Sequence, residues 1–414
     1  MTVTHTDVLI IGAGPAGLAA AVALRRGGVR DLVVVEREAE AGGTPRQCDH
    51  LGFGWQDRGR LMSGPAYARR LVEEARSVGV QLHLQTSITG WVGPSTLAYT
   101  SPDGLGEIEA RAIVLATGCR ERPRSARLVP GARPAGVFTT GSLQRFVYEQ
   151  RLPVGRRAVI IGAELVSLSA LLTLRHAGVK TIAFVDEQPR PQLYFPYNLA
   201  RTLFADVLSR TPIRTRARVT AILGHKRVEA VEVTHVDTGQ VEQIACDTVV
   251  FTGGWIPEHT LARQGGLMLD AGSRGPRVDG AFRTSRQGVF AVGNLLRGVE
   301  TAGACALEGW GVASRVQDFL KTGAWPSALP VRVESPLLWV CPNAFDPLLA
   351  SSELCFRSAE FRADTIVRIA QGERILASQR FKRLIVNETL SFTADGLHRA
   401  DPAGEGLRIT VGPA

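Results

Sequence analysis

One pattern written twice constrains this 414-residue chain more than anything else in it. A short apolar strand runs into a tight turn, and the turn runs into a helix. The first copy, "DVLIIGAGPAGLAAAVALRRGGVRDLVVVERE", starts at Asp7, and the second, "AVIIGAELVSLSALLTLRHAG", starts at Ala158. An unbroken apolar strand is one buried on both faces of a parallel sheet. Parallel neighbours need a crossover, usually a helix. Two such units exclude all-helical and all-β folds and call for two separate α/β sheets.

The first copy carries a complete dinucleotide-binding turn. Gly12, Gly14 and Gly17, with Pro15 and Ala16 between them, spell G-x-G-x-x-G. The first glycine makes the turn, the second admits a pyrophosphate, and the third lets the helix pack on the strand. Free N–H groups and the positive end of the helix dipole then face the phosphates. The next strand ends in Glu36, placed to accept hydrogen bonds from a ribose.

In the second copy Glu164 stands at the close-approach position and Ser167 at the third glycine. About 4 Å from a phosphate, in an effective dielectric near 20, such a carboxylate costs up to about 4 kcal/mol, relaxing to about 1. The affinity loss is about fivefold to roughly thousandfold. Asp186, at the end of "TIAFVDE", is the remaining part of the fingerprint. This second unit reads as a fold that kept its core and gave up NAD(P).

Composition narrows the class. The net charge is +9, but the basic residues are mostly arginine and scattered along the chain, which argues against a nucleic-acid groove. No apolar stretch reaches 18 residues, and the start lacks the marks of a signal peptide. The cysteines at 48, 119, 246, 305, 341 and 355 show no C-x-x-C pair and no zinc or iron–sulfur spacing. A cytoplasmic protein without a metal site is the expectation.

Two later stretches name the first dinucleotide. "AIVLATGCRERP" is an apolar strand ending in Thr117 and Gly118, and "TSRQGVFAVGNLLRGVETAGACALEGWGVA" holds a strand ending at Gly293-Asn294 before a helix. With the first fingerprint, they resemble the two-dinucleotide-domain flavoproteins related to glutathione and thioredoxin reductases. That resemblance implies FAD, bound by the three motifs together, with Gly43 close by. It also puts the helix start at Ala302-Gly303 toward the flavin's pyrimidine end, where its dipole would stabilise negative charge by roughly 0.3–2 kcal/mol. Asn294 stands where the family has an aspartate, and keeps the hydrogen bond without the charge. The redox cysteine pair of the reductases is missing. "TPRQCDHLGFG" offers Cys48 and His50 near the flavin, weak candidates for chemistry, with Cys48 read first as packing.

"GGTPRQCDHLGFGWQDRGRLMSGPAYARRL", "ATGCRERPR", "RPAGVFTTGSLQRF" and "VFTGGWIPEHTLAR" look like a narrower branch, the FAD/NAD-type subunits of heteromeric dehydrogenases. These include hydrogen cyanide synthase, opine oxidase, and dye-linked proline and D-hydroxyproline dehydrogenases. The resemblance implies a partner subunit similar to D-amino-acid oxidase, a small iron–sulfur subunit, and oxidation of an amine, imino acid or related small molecule. Two other readings stand beside it: a stand-alone NAD(P)H-dependent reductase of a small acceptor, and a scaffold subunit with a structural nucleotide.

The expected organisation is α/β. Two Rossmann-like domains, one inserted in the other, comprise 1–124 with 246–322 and the insert 125–245. A small β-rich domain occupies 323–414, from the short alternating runs "TIVRIA", "RILASQRF" and "LRITV". "PLLWVCPNAF" suggests either that domain's core or a docking surface built on Trp339 and Phe345.

Overall fold

The computed structural model describes residues 3–194, 211–347, 353–393 and 396–414. The chain divides into two compact units: Met1–Arg46, Leu51–Arg120 and Pro257–Ala414 form one, Gln47–His50 and Glu121–Ile256 the other. The second is somewhat wider than the expected insert.

In the first unit the strand Val3–Ile11 lies between Leu32–Val35 and Gly104–Leu115, parallel to both. Gln81–His83 extends the sheet on one side. On the other, Gly104–Leu115 pairs with Val289–Ala291 through its last residues and with the antiparallel strand Thr96–Ser101 through its first. Successive strands therefore leave Val3–Ile11 in opposite directions. Their carboxyl ends form a switch-point crevice, the place where open α/β sheets bind ligands. Helices Pro15–Arg26 and Ala302–Thr322 cover one face. They touch so closely that a Cβ at Gly309 would lie 2.2 Å from the Ala16 carbonyl oxygen.

The C-terminal strands belong to this unit. Leu329–Val333, Ala344–Phe345, Arg362–Gln371, Arg374–Leu384 and Leu407–Pro413 make a five-stranded sheet; Leu337–Cys341, Glu353–Ser358 and Leu390–Thr393 make a three-stranded one. Phe356, Phe392, Val367 and Ile369 centre their shared core. Trp339 and Cys341 instead pack into the core on the second face of the first sheet, with Leu9, Ile11 and Leu115. Trp339 and Phe345 are both buried, which favours the core reading of this stretch over the docking surface. A large ring in this strand had another apolar face to meet, the back of the nucleotide-binding sheet.

The second unit repeats the plan with five parallel strands, in the order Val137–Thr139, Thr248–Phe251, Arg157–Ile161, Lys180–Val185, Ile213–Arg214. Its switch point lies between Arg157–Ile161 and Thr248–Phe251. A three-stranded antiparallel sheet, Ala217–Leu223, Ala230–His235 and Val241–Ala245, completes it. Among the described residues no helix is long and apolar enough to cross a membrane.

Candidate functional site

The two crevices are built on one backbone plan. Gly12 and Gly162 make the turns at φ +106° and +127°, a region that side chains rarely enter. Gly14 and Glu164 cap the following helices at φ/ψ −83°/−173° and −99°/−179°. Ala13 N–H donates to Glu36 Oε2 over 2.8 Å, and Glu38 N–H to Glu36 Oε1 over 3.0 Å. In the second unit Asp186 accepts from the Ala163 backbone and from Gln188 N–H, the latter at 2.9 Å. The chain then returns over each turn: Gly42 N–H donates to the Ala13 carbonyl at 2.8 Å, and Gln192 N–H to that of Ala163 at 3.0 Å. Turn, cap and return thus match, while the side chains differ.

At the first crevice they leave room. Gly14 has nothing nearer to a Cβ than Gly43 Cα at 3.9 Å. A Cβ on Gly17 would lie 1.9 Å from the Gly12 oxygen, so only glycine lets helix and strand meet here. Both Glu36 oxygens keep a lone pair for ribose hydroxyls. At the end of Gly104–Leu115, Thr117 Oγ1 donates to the Glu258 carbonyl (2.8 Å) while Glu258 N–H donates to that of Gly118 (2.9 Å). A bare N-cap, an acidic strand end and a glycine lid fit the AMP half of FAD.

The late motif is tied into its own loop. Asn294 Oδ1 accepts from Glu300 N–H at 2.6 Å, and its amide donates to the Glu300 carbonyl at 3.3 Å. Its side chain therefore closes the 294–300 loop, leaving one lone pair and one N–H for a ligand. Gly293 N–H donates to Glu308 Oε2 at 2.7 Å. Thr301 caps the next helix through Ala304 N–H (3.2 Å). At Gly303 a Cβ would meet Gln56 Cβ at 2.9 Å and Asp57 Oδ1 at 3.2 Å. The helix start thus already has a carboxylate against it, with Tyr67 donating to the other Asp57 oxygen over 2.8 Å.

At the second crevice the side chains fill the space. The Glu164 carboxylate folds back into the switch point, where Oε2 lies 2.6 Å from a Cβ at Gly162 and Oε1 3.1 Å from one at Gly253. Burial pushes its pKa up to about 7, partly offset by a hydrogen bond from Thr252. Oε1 has no hydrogen-bond partner among the described residues. Arg127 sits nearby but gives its guanidinium to the Thr252 and Gly253 carbonyls, at 2.7 and 2.6 Å. Gln192 donates its side-chain amide to Asp186 Oδ2 at 2.8 Å, whereas the bonds to Glu36 in the first unit come from backbone N–H groups. Burial raises the Asp186 pKa to about 6. Ser167 is accommodated by donating its hydroxyl to the Glu164 carbonyl at 2.5 Å. Gln192 had no signature in the sequence; its role depends on where the chain returns.

Cys48 and His50 belong to the second unit. Cys48 Sγ lies 3.5 Å from Gln144 Oε1, the Gln144 amide donates to Ser169 Oγ (2.8 Å), and His50 Nε2 is 2.7 Å from that hydroxyl. Burial pushes the Cys48 thiol up to about 12, so it is not a thiolate nucleophile at neutral pH. Among the described residues no group of acidic, histidine or cysteine side chains is arranged to hold a metal.

Residues 6–309 match the model of the pyridine nucleotide-disulphide oxidoreductase family. The chain belongs to that family. As a member it is an oxidoreductase of the flavin-dependent kind. Its similarity to the alpha subunit of sarcosine oxidase from Rhizobium meliloti is 27 % identity over 320 residues, covering 73 % of this chain and 28 % of that protein. With the A subunit of opine oxidase from Agrobacterium tumefaciens it shares 28 % over 329 residues, covering 73 % and 63 %. The chain thus spans less than two thirds of either relative. The fold is also that of T. acidophilum thioredoxin reductase, with a TM-score of 0.63, 21 % identity, and coverage of 76 % of this chain and 98 % of that one.

Proposed function

We propose that this chain is the flavin-bearing subunit of a heteromeric dehydrogenase or oxidase, one that oxidises an amine, an imino acid such as an opine or proline derivative, or a related small molecule. The observation that carries this reading is the contrast between two crevices on one backbone plan. Gly14 and Gly42 leave the first open, whereas Glu164 and Gln192 fill the second with the protein's own side chains.

Gly12, Gly14, Pro15, Ala16, Gly17 and Glu36 hold the adenylate and pyrophosphate of FAD, under Gly43. Thr117, Gly118, Gly293, Asn294, Ala302 and Gly303 line the rest of its path. The flavin, when bound, supplies two-electron redox chemistry. The chain's own part is to bind and orient it and to deny it a nicotinamide coenzyme. Electrons go instead to a non-NAD acceptor. Substrate oxidation falls to a partner similar to D-amino-acid oxidase, and a small iron–sulfur protein carries electrons onward, in the cytoplasm.

The test is purification from the native host followed by an absorption spectrum and rapid mixing with NADH. The expected result is a flavin spectrum, co-eluting subunits, and no bleaching by NADH. Fast bleaching at micromolar NADH would establish a stand-alone reductase instead, and a nucleotide that never changes redox state during turnover would establish a scaffold.

A further inference from the structure

Arg357 lies on the C-terminal strand Glu353–Ser358, yet both its Nη groups reach out of that sheet to the loop that follows Asn294. Nη1 donates to the Gly298 carbonyl at 3.0 Å, and Nη2 donates to the Val299 carbonyl at 2.5 Å and to Glu300 Oε1 at 3.2 Å. Nε donates to Thr389 Oγ1 at 3.0 Å, and Thr389 in turn donates to Glu300 Oε1 at 2.7 Å. The guanidinium lies 5.3 Å from the centre of the Trp339 ring, and the residue is 5 % exposed. Glu300 is also the residue whose backbone takes both ends of the Asn294 amide. From the other side, Arg297 reaches Glu300 at 3.4 Å and Glu308 at 2.5 Å, and Glu308 holds Gly293 N–H.

A planar guanidinium that satisfies two carbonyls and a carboxylate fixes a loop in both position and orientation, which an ammonium cannot do. Burying that cation is costly unless its bonds are made. It is made whole here only when the 298–300 loop is in place. The loop joins the two parts of the late motif, Gly293-Asn294 and the helix that starts at Ala302.

We infer that the C-terminal β-domain is a clamp on the flavin site, with Arg357 a positioning residue that acts through Glu300 on Asn294 and on the start of the Ala302–Thr322 helix. The inference rests on the flavin reading. It gives the C-terminal strands a task in tuning the site, separate from any contact with other subunits.

Arg357→Lys and Thr389→Val in the full chain test it, read by FAD dissociation constant, visible circular dichroism and two-electron midpoint potential. Lysine cannot reproduce the charge-assisted fork that supports the loop, so the FAD dissociation constant should rise about tenfold or more in Arg357→Lys, equivalent to about 1.4 kcal/mol. Looser seating of the helix start should shift the potential by roughly 30 mV, the equivalent of a tenfold change in preference between the two redox forms. Thr389→Val should move both in the same direction by less. A purely structural role would lower the melting temperature while leaving potential and dichroism at wild-type values, and that result would overturn the clamp. If Arg357→Lys does not fold, Thr389→Val decides by the same readouts. A wild-type chain that carries no flavin and takes none from added FAD would overturn the flavin reading itself, and is visible before any variant is made.

Discussion

Gln192 donates its side-chain amide to Asp186 across 2.8 Å, while its backbone N–H holds the Ala163 carbonyl. Gly42 makes the same backbone bond to Ala13 and has no side chain to offer Glu36. One amide therefore decides whether an acidic strand end is available to a ribose. On the proposed function, it and Glu164 together block the second crevice to a nicotinamide coenzyme. Removing the pair, as Glu164→Gly with Gln192→Ala, should open it. By titration calorimetry we expect wild type to show no heat of NADH binding below millimolar concentration. The double variant should gain about fivefold or more in affinity, from the like-charge term of about 1–4 kcal/mol. No gain in the folded double variant would mean that the crevice is closed by something other than these two side chains.

The same buried acids set a pH dependence. Glu164 and Asp186 have pKa values raised by burial to about 7 and about 6, so between their unfolded and folded values the native state holds protons that the unfolded chain has released. Stability is then fully present below the unfolded carboxylate range and falls as pH rises through 6 and 7. The ceiling is about 3 kcal/mol for each group. Glu164→Gln should flatten the fall measured by urea unfolding between pH 5 and pH 8, and should leave the variant more stable than wild type at pH 8. An equal slope in both proteins would rule out Glu164 as its source.

The reciprocal substitution is Gly14→Glu, which writes the second crevice into the first. At φ −83° and with 3.9 Å to the nearest atom, position 14 has the space and the conformation for a side chain. The variant should fold with a wild-type far-ultraviolet circular dichroism spectrum and contain no flavin. Gly17→Ala should behave differently, because its Cβ would lie 1.9 Å from the Gly12 oxygen. It should lose the fold along with the flavin. A Gly14→Glu protein that retains full yellow colour would contradict the assignment of this turn to the pyrophosphate.

Much of this was readable from residues alone where a local rule forces the choice. Gly12 and Gly17 are fixed by a turn and by a close approach, so the motif by itself names the crevice. Glu164 was legible for the same reason, as a residue that the rule forbids. Gln192 was not, because nothing near it in sequence says that residue 192 returns over Ala163. Trp339 is a similar case: alternation in "PLLWVC" says that one face is apolar but not which neighbour covers it. Cys48 and His50 follow the ribose strand in sequence and yet pack against Gln144 and Ser169. Long-range pairing, not propensity, placed all of these.

Trp339 gives the last prediction. It is 4 % exposed, sits in the core behind the nucleotide-binding sheet, and has the guanidinium groups of Arg297 and Arg357 at 5.9 and 5.3 Å from its ring centre. Trp339→Ala removes ring, packing and both cation–π contacts, for a loss of about 3–5 kcal/mol. Trp339→Phe keeps the apolar bulk, and should lose much less. The two variants therefore separate a core role from a recognition role. In denaturant unfolding the midpoints should order as wild type, Phe, Ala. If Trp339 were a partner-binding residue, Ala would weaken assembly while leaving the midpoint near wild type. Burial between its own sheet and the nucleotide-binding sheet argues for the first outcome, since an indole so placed has almost no solvent-facing surface to present.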